Sequence, residues 1–174
     1  MLLINDEKNG LLDFARMICA AARTAPKGRG LDLMTTAIVD GDEKDSLVER
    51  MHLIAERDGV AFFARDAENV RQAQLIILFA TSKKPLGLPH CGFCGFSNCG
   101  ELQKAGAVCA FNSGDLGIAL GSAVSRAADL RIDNRILYTA GKAALELGML
   151  GEDAALAFGL PLSITGKSPF FDRK

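Results

Sequence analysis

Four of the five cysteines fall within nineteen residues, in the stretch Cys91-Gly92-Phe93-Cys94-Gly95-Phe96-Ser97-Asn98-Cys99 and then at Cys109. The spacing, C-x2-C-x4-C-x9-C, constrains this chain more than any other feature. A C-x-x-C turn puts two thiolates on one metal centre, and the next two cysteines complete a four-thiolate shell of Cys91, Cys94, Cys99 and Cys109. Such a shell suits an iron–sulfur cluster or a structural zinc. The glycines at 92, 95 and 100 let the backbone wrap closely round a bulky centre. They also leave N–H groups to point at sulfur and tune it. Zinc is the main rival: a zinc knuckle also opens C-x-x-C-x4 and then uses histidine and cysteine, so His90 stands as a substitute ligand. A disulfide pair is the third option.

Compartment bears on that choice. The first residues, Met1 to Glu7, carry no basic run and no cleavage signal, and no apolar run approaches membrane-spanning length. The expectation is a cytoplasmic protein, and a reducing compartment favours metal over disulfide. A net charge of −1 argues against nucleic acid or a membrane surface as partner. With 174 residues, 49% of them hydrophobic, residues 1–174 make one domain with a sizeable core, residues 89–110 being an inserted metal loop.

Periodicity supplies the frame. Leu11, Phe14, Ala15, Ile18 and Ala22 recur at helical spacing over about 7–22, with Cys19 a small packed hydrophobe on that face. The segment 23–30 holds Arg23, Lys27 and Arg29 among a proline and two glycines. It reads either as an anion-binding loop or as a solvated basic turn. Residues 33–39 read as a strand, 40–43 as a turn, and Ser46-x-x-Glu49 as a capping box opening a helix that Gly59 ends. Residues 60–64 read as a short strand, and Asp66 as the cap of a brief helix to Gln72. Leu75 to Ala80 is a continuous apolar run, hence a strand covered on both faces that feeds the cysteine loop. After Cys109, Ser113 or Asp115 opens a long helix to about Leu130, thinned by small residues at 117, 119 and 121–123. Asp133 or Asn134 caps the next helix, which stops at Gly148. The last strand contains Pro161, which suggests an edge or a strand end. Phe170-Phe171 reads as a docking pair in a polar tail. His52 reads as an ordinary surface or packed histidine. The order of helices and strands points to an α+β class with α/β-like layering, one sheet flanked by helices.

Two resemblances add to this. Cys91-x-x-Cys94-Gly95-x-x-x-Cys99, with Asn98 to Leu102 opening a short helix, resembles the motif of small four-iron domains in corrinoid iron–sulfur proteins and related anaerobic carriers. The stretch from Ala22 to Asp32 with the strand after it, the helices 115–130 and 135–147, and Phe158-Gly159-Leu160-Pro161 resemble the FMN-dependent nitroreductases. As a whole, the chain resembles an uncharacterised family of anaerobes that contains a ferredoxin domain. These likenesses imply a nitroreductase-like sheet with the cysteine loop inserted and an interlocked homodimer. They also imply an FMN site between subunits, its phosphate meeting Arg23, Lys27 and Arg29 with Lys167 or Arg173. The chain departs from the flavoenzymes at its first helix, where Asn5-Asp6-Glu7 stands in place of their cations.

Three functions follow as expectations. The first is a redox protein carrying electrons through one [4Fe–4S] cluster, its partner protein unspecified. The second is an FMN-containing oxidoreductase fed by that cluster. The third is a zinc-stabilised binding module without catalysis. A serine hydrolase is disfavoured, since His52 and His90 are the only histidines and neither sits in a nucleophile motif.

Overall fold

A strand that is apolar at every position must be covered on both faces, and the run from Leu75 is the central strand of the sheet. The structure, a computed structural model, describes residues 1–171. In chain order its elements are α1 (Leu11–Thr24), β1 (Met34–Val39), α2 (Gly41–Asp58), α3 (Ala61–Gln72), β2 (Leu75–Ser82), α4 (Cys99–Lys104), α5 (Ala110–Asp129), β3 (Asp133–Asn134), α6 (Tyr138–Glu146) and β4 (Ala154–Ser163). Short 3-10 turns lie at Asp6–Lys8 and Gly28–Gly30. The sheet order is β1-β2-β4-β3, antiparallel throughout.

Side chains alternate across a strand, and β2 divides accordingly. Ile76, Leu78 and Ala80 enter a core with α2, α3 and α6, while Leu75, Ile77 and Phe79 enter a second core with α1 and α5. The result is three layers, helices on both faces of one sheet. The α6 layer sits hard on the sheet: a Cβ on Gly141 would collide with the Ala157 carbonyl and stand 2.6 Å from the Phe158 nitrogen. Asp66 and Thr139, both buried, join α3 to α6 through a 2.9 Å hydrogen bond, and Arg65 pairs with the same carboxylate. Among the described residues no helix is long and apolar enough to cross a membrane.

Several local expectations are corrected. Residues 40–43 are not a turn: the Asp40 carboxylate accepts from the Gly41 N–H at 2.8 Å and caps α2 there. Ser46 is therefore inside the helix, donating to the Asp42 carbonyl. Residues 60–64 are not a strand, because Gly59, left-handed at φ 68°, ends α2 and α3 starts at once. Phe63, Ala67 and Val70 then bury at helical spacing, and Asp66 lies within that helix. The long helix begins at Ala110, right after Cys109. Asp133 and Asn134 do not cap a helix but pair with Ser163 and Leu162. Pro161 is inside the sheet, opposite Ile76 of β2. It is tolerated because Gly159 exchanges both its backbone bonds with Leu137, so the position two residues on faces the same way, away from β2. On that side the register leaves position 161 without a ladder partner.

Candidate metal centre

The cysteine loop hangs from the end of β2, and buried polar bonds hold its root. Asn112, 1% exposed on α5, donates to the carbonyls of Ser82 and Lys84 at 3.0 and 2.7 Å. Lys83 bonds to the 152–153 turn through both its backbone and its ammonium. Farther along, Arg29 donates to the Leu86 carbonyl at 3.0 Å. Arg29 holds a φ of 55°, and His90 a φ of 53°, in the left-handed region that non-glycine residues adopt only at a cost. Two strained residues thus flank the same loop.

The turn itself needs glycine at two places. Gly92 and Gly95 have φ of 67° and 82°, and the Gly95 N–H closes a turn over 92–95, which contains Cys94, on the Gly92 carbonyl at 2.9 Å. That amide was expected to face sulfur; it is spent on the turn instead. Gly100 lies in α4 with a negative φ, so backbone freedom is not its role either. Its hydrogen leaves room for the Asn98 side chain, which caps α4 by accepting from the Glu101 N–H at 3.0 Å. The chain then packs Leu102, fully buried, with Leu86 and Cys109 in a small core separate from the two main ones.

This folding brings all four cysteines of the expected set to one cavity of about 130 Å³, with Leu86, Leu102 and Phe111 among its apolar walls. Cys109 is buried and the other three are half-buried, none in a disulfide. His90 also lines the cavity. The first turn of α5 borders it, and helical N–H groups at such an end carry partial positive charge that favours thiolates and anionic clusters. Among the described residues no group of three or more His, Cys, Asp or Glu side chains is gathered closely enough for a single ion. A tetrahedral zinc would draw four sulfurs to about 3.8 Å from one another. The donor set, soft and all-sulfur in an apolar shell, is that of an iron–sulfur cluster or of zinc.

The basic loop is arranged differently. Arg23 donates to Asp32 and to the Met34 carbonyl, both at 2.7 Å. Burial raises the Asp32 pKa, but the Arg23 hydrogen bond, the Met34 amide and the charges of Arg23 and Lys27 outweigh it and hold the carboxyl below its ordinary value. Lys27 gives its ammonium to three carbonyls, of Ala22, Arg23 and Ala25, at the end of α1. Arg29 is directed at Leu86. The three cations share a loop yet each has an internal acceptor. Lys167 lines another cleft, with Arg65 and Asn69, and Arg173 lies outside the described residues. Of the tail pair, Phe170 is buried and Phe171 stands exposed under the Arg135 guanidinium. His52 bonds to Glu68, as an ordinary packed histidine does.

Sequence reasoning missed three contributors to this region. Asn112 stands among other polar residues at the start of α5, Ser113 and Asp115, and no sequence signal singled it out. Phe93 and Phe111, whose rings stack at 5.8 Å, carry no sequence signal that distinguishes them from core aromatics.

Comparison with known proteins places the chain. Residues 105–173 match the profile of a family described as uncharacterised proteins containing a ferredoxin domain (DUF2148). An uncharacterised protein of Archaeoglobus fulgidus is 45% identical, covering 99% of this chain and 98% of its own. Among solved structures, the FMN-dependent nitroreductase NfnB of Mycobacterium smegmatis matches with a TM-score of 0.63 at 12% identity, over 91% of this chain and 81% of that one. The nitroreductase CinD of Lactococcus lactis gives 0.61 at 16%, over 98% and 86%. A nitroreductase of Clostridium difficile gives 0.56 at 18%, over 95% and 79%. At such identities the likeness is one of fold, and the fold is nitroreductase-like.

Proposed function

Given that this chain belongs to the family of uncharacterised proteins containing a ferredoxin domain, we propose that it is an electron carrier holding one [4Fe–4S] cluster on Cys91, Cys94, Cys99 and Cys109. The observation that carries this reading is the convergence of those four thiols on one cavity. When bound, the cluster supplies one-electron redox chemistry. The chain does the rest. Asn112 and Arg29 hold the loop to the body of the protein, Leu86, Leu102 and Phe111 exclude water, and the first turn of α5 offsets negative charge. Replacing Cys91, Cys94, Cys99 or Cys109 by Ser in anaerobically prepared protein abolishes the broad visible absorption on this account. Variants that keep full absorption are not ligand variants.

Residues 89–110 form the cluster-binding insert in this reading. A homodimer completes it. Gly117 and Gly121 lie one turn apart on α5, and a Cβ on either would meet nothing within 4 Å. A thin, open helix face of this kind suits close approach of a second copy. Light scattering that returns a monomer at micromolar concentration removes the dimer.

A second reading, an FMN-dependent reductase fed by the cluster, draws on the fold shared with FMN-dependent nitroreductases. It requires Arg23, Lys27 and Arg29 to exchange internal acceptors for a phosphate. Titration with FMN decides it: no quenching of flavin fluorescence, or quenching unchanged in Arg23→Ala and Arg29→Ala, removes that loop from any flavin site.

A further inference from the structure

A second cavity adjoins the first. It is a groove of about 460 Å³ between the loop at Pro26–Gly28, the start of α5 and Phe93, within the roughly 300–1,000 Å³ typical of small-molecule sites. Ala110 and Phe111 line both cavities, so one side chain's thickness separates the groove from the thiols. We propose that this groove seats the electron acceptor, an uncharged, flat, conjugated ring of the quinone class; the proposal rests on the iron–sulfur reading above.

Shape argues for a flat ring. Phe93 and Phe111 stack with their planes 17° apart, and this pair forms the aromatic wall of the groove, offering a flat ring face. Gly114 adds floor without a side chain, and the space before it is open. Phe93 is 77% exposed and Ile118 50%, apolar surface that an apolar occupant would cover. Charge argues for an uncharged one. Lys27 is the one cation among the described residues lining the groove, and all three of its N–H donors are spent on α1 carbonyls. Asp115 lines the groove as well, its carboxylate accepting only the Gly28 N–H, at 3.0 Å. A phosphate would meet that carboxylate and no free cation, which disfavours nucleotides here.

The redox step balances simply. A quinone takes up two electrons and two protons to give the hydroquinone, and no other bond is made or broken. The electrons arrive singly from two reduced chains, each returning to its oxidised form, and the protons come from the solvent that the open groove admits.

The test uses iron-loaded protein without oxygen and duroquinone, whose fully methylated ring carbons resist addition of the cysteine thiols. Calorimetric titration measures binding to wild type, Phe93→Ala and Gly114→Leu. The Cβ added at this position meets nothing within 4 Å and leucine is the better helix former, so the helix itself is spared. Saturable binding of one duroquinone per chain is expected. Affinity should fall tenfold or more in both variants, with iron content and light-scattering mass unchanged. Dithionite-reduced, desalted protein should then be reoxidised at two chains per quinone. Absence of saturable binding to iron-loaded wild type overturns the proposal alone. So does equal binding by both variants, or FMN displacing duroquinone at equal concentration. Cys91→Ser, lacking the cluster, should still bind. Wild type that binds but never holds iron refutes the acceptor role together with the cluster reading.

Discussion

Gly141→Ala tests how closely α6 is set against the sheet. In an exposed helix this substitution gains about 1 kcal/mol, because alanine is the better helix former. Here the new methyl would collide with the Ala157 carbonyl and lie 2.6 Å from the Phe158 nitrogen, where ordinary contact begins at 3.4 Å. These are backbone atoms of a central strand and have no rotamer to change. The helix must back away by nearly an ångström or more. Retreat on that scale forfeits a quarter to a half of each dispersion contact along the face, and Leu137, Ala140, Ala143 and Ala144 are all buried on it. Overpacking of this kind costs about 1–3 kcal/mol and occasionally more. With the collision directed at backbone, the net expectation is about 3 kcal/mol of destabilisation despite the propensity gain. Urea unfolding followed by circular dichroism reads it as a lower midpoint at similar slope. An unchanged or raised midpoint refutes the packing argument.

Cys19→Ala should leave iron content unchanged and cost roughly 1 kcal/mol. Cys19 is half-buried, and burial pushes its thiol above the ordinary range against a hydrogen bond from Thr36, so it should also alkylate slowly at neutral pH; loss of iron would overturn the ligand set. Asn112→Ala should destabilise by about 1–3 kcal/mol, because the carbonyls of Ser82 and Lys84 lose their donor. It should also speed hydrogen exchange across 83–90, and unaltered exchange there would deny its anchoring role. For Asp32, a folded pKa below the usual 3.8 means the unfolded chain binds more protons. Its contribution is therefore present above pH 3.8 and lost as pH falls through the lower folded value. Asp32→Asn should lower the unfolding free energy at pH 7 by less than about 1 kcal/mol, since the pair is 41% exposed on each side. The two proteins should converge in strong acid; a constant difference at all pH values contradicts the linkage.

The elements read well from sequence are those where one local signal dominates. Leu75 to Ala80 has no polar residue to place outward, Gly59 and Gly148 are left-handed stops, and Asn98 is a cap. The errors fall where two elements abut without a loop. At 60–64 the aromatic, β-branched composition suggests a strand, but α2 and α3 are separated only by Gly59 and Val60, and the burial of Phe63 against both helices and sheet decides for a helix. At Asp133 and Asn134 the residues are good helix caps, yet pairing with β4 wins. Pro161 misleads because the rule concerns which side its missing N–H faces, and register sets that side. In the site, spacing alone nominated the four cysteines, and the fold brings them to one cavity. The basic loop shows the limit: composition reveals Arg23, Lys27 and Arg29, but not that Arg29 reaches a carbonyl 57 residues away. The Phe93–Phe111 wall is invisible for the same reason, being made by a contact across the loop.

The central claim is that the four cysteines hold a cluster, and one assay on one anaerobic sample tests it most directly. Iron, acid-labile sulfide and zinc are measured against protein concentration, alongside the visible spectrum. The account predicts about four iron and four sulfide per chain with broad absorption that dithionite bleaches, as a Cys₄ cubane site requires. One zinc per chain with no labile sulfide and a colourless solution would contradict it.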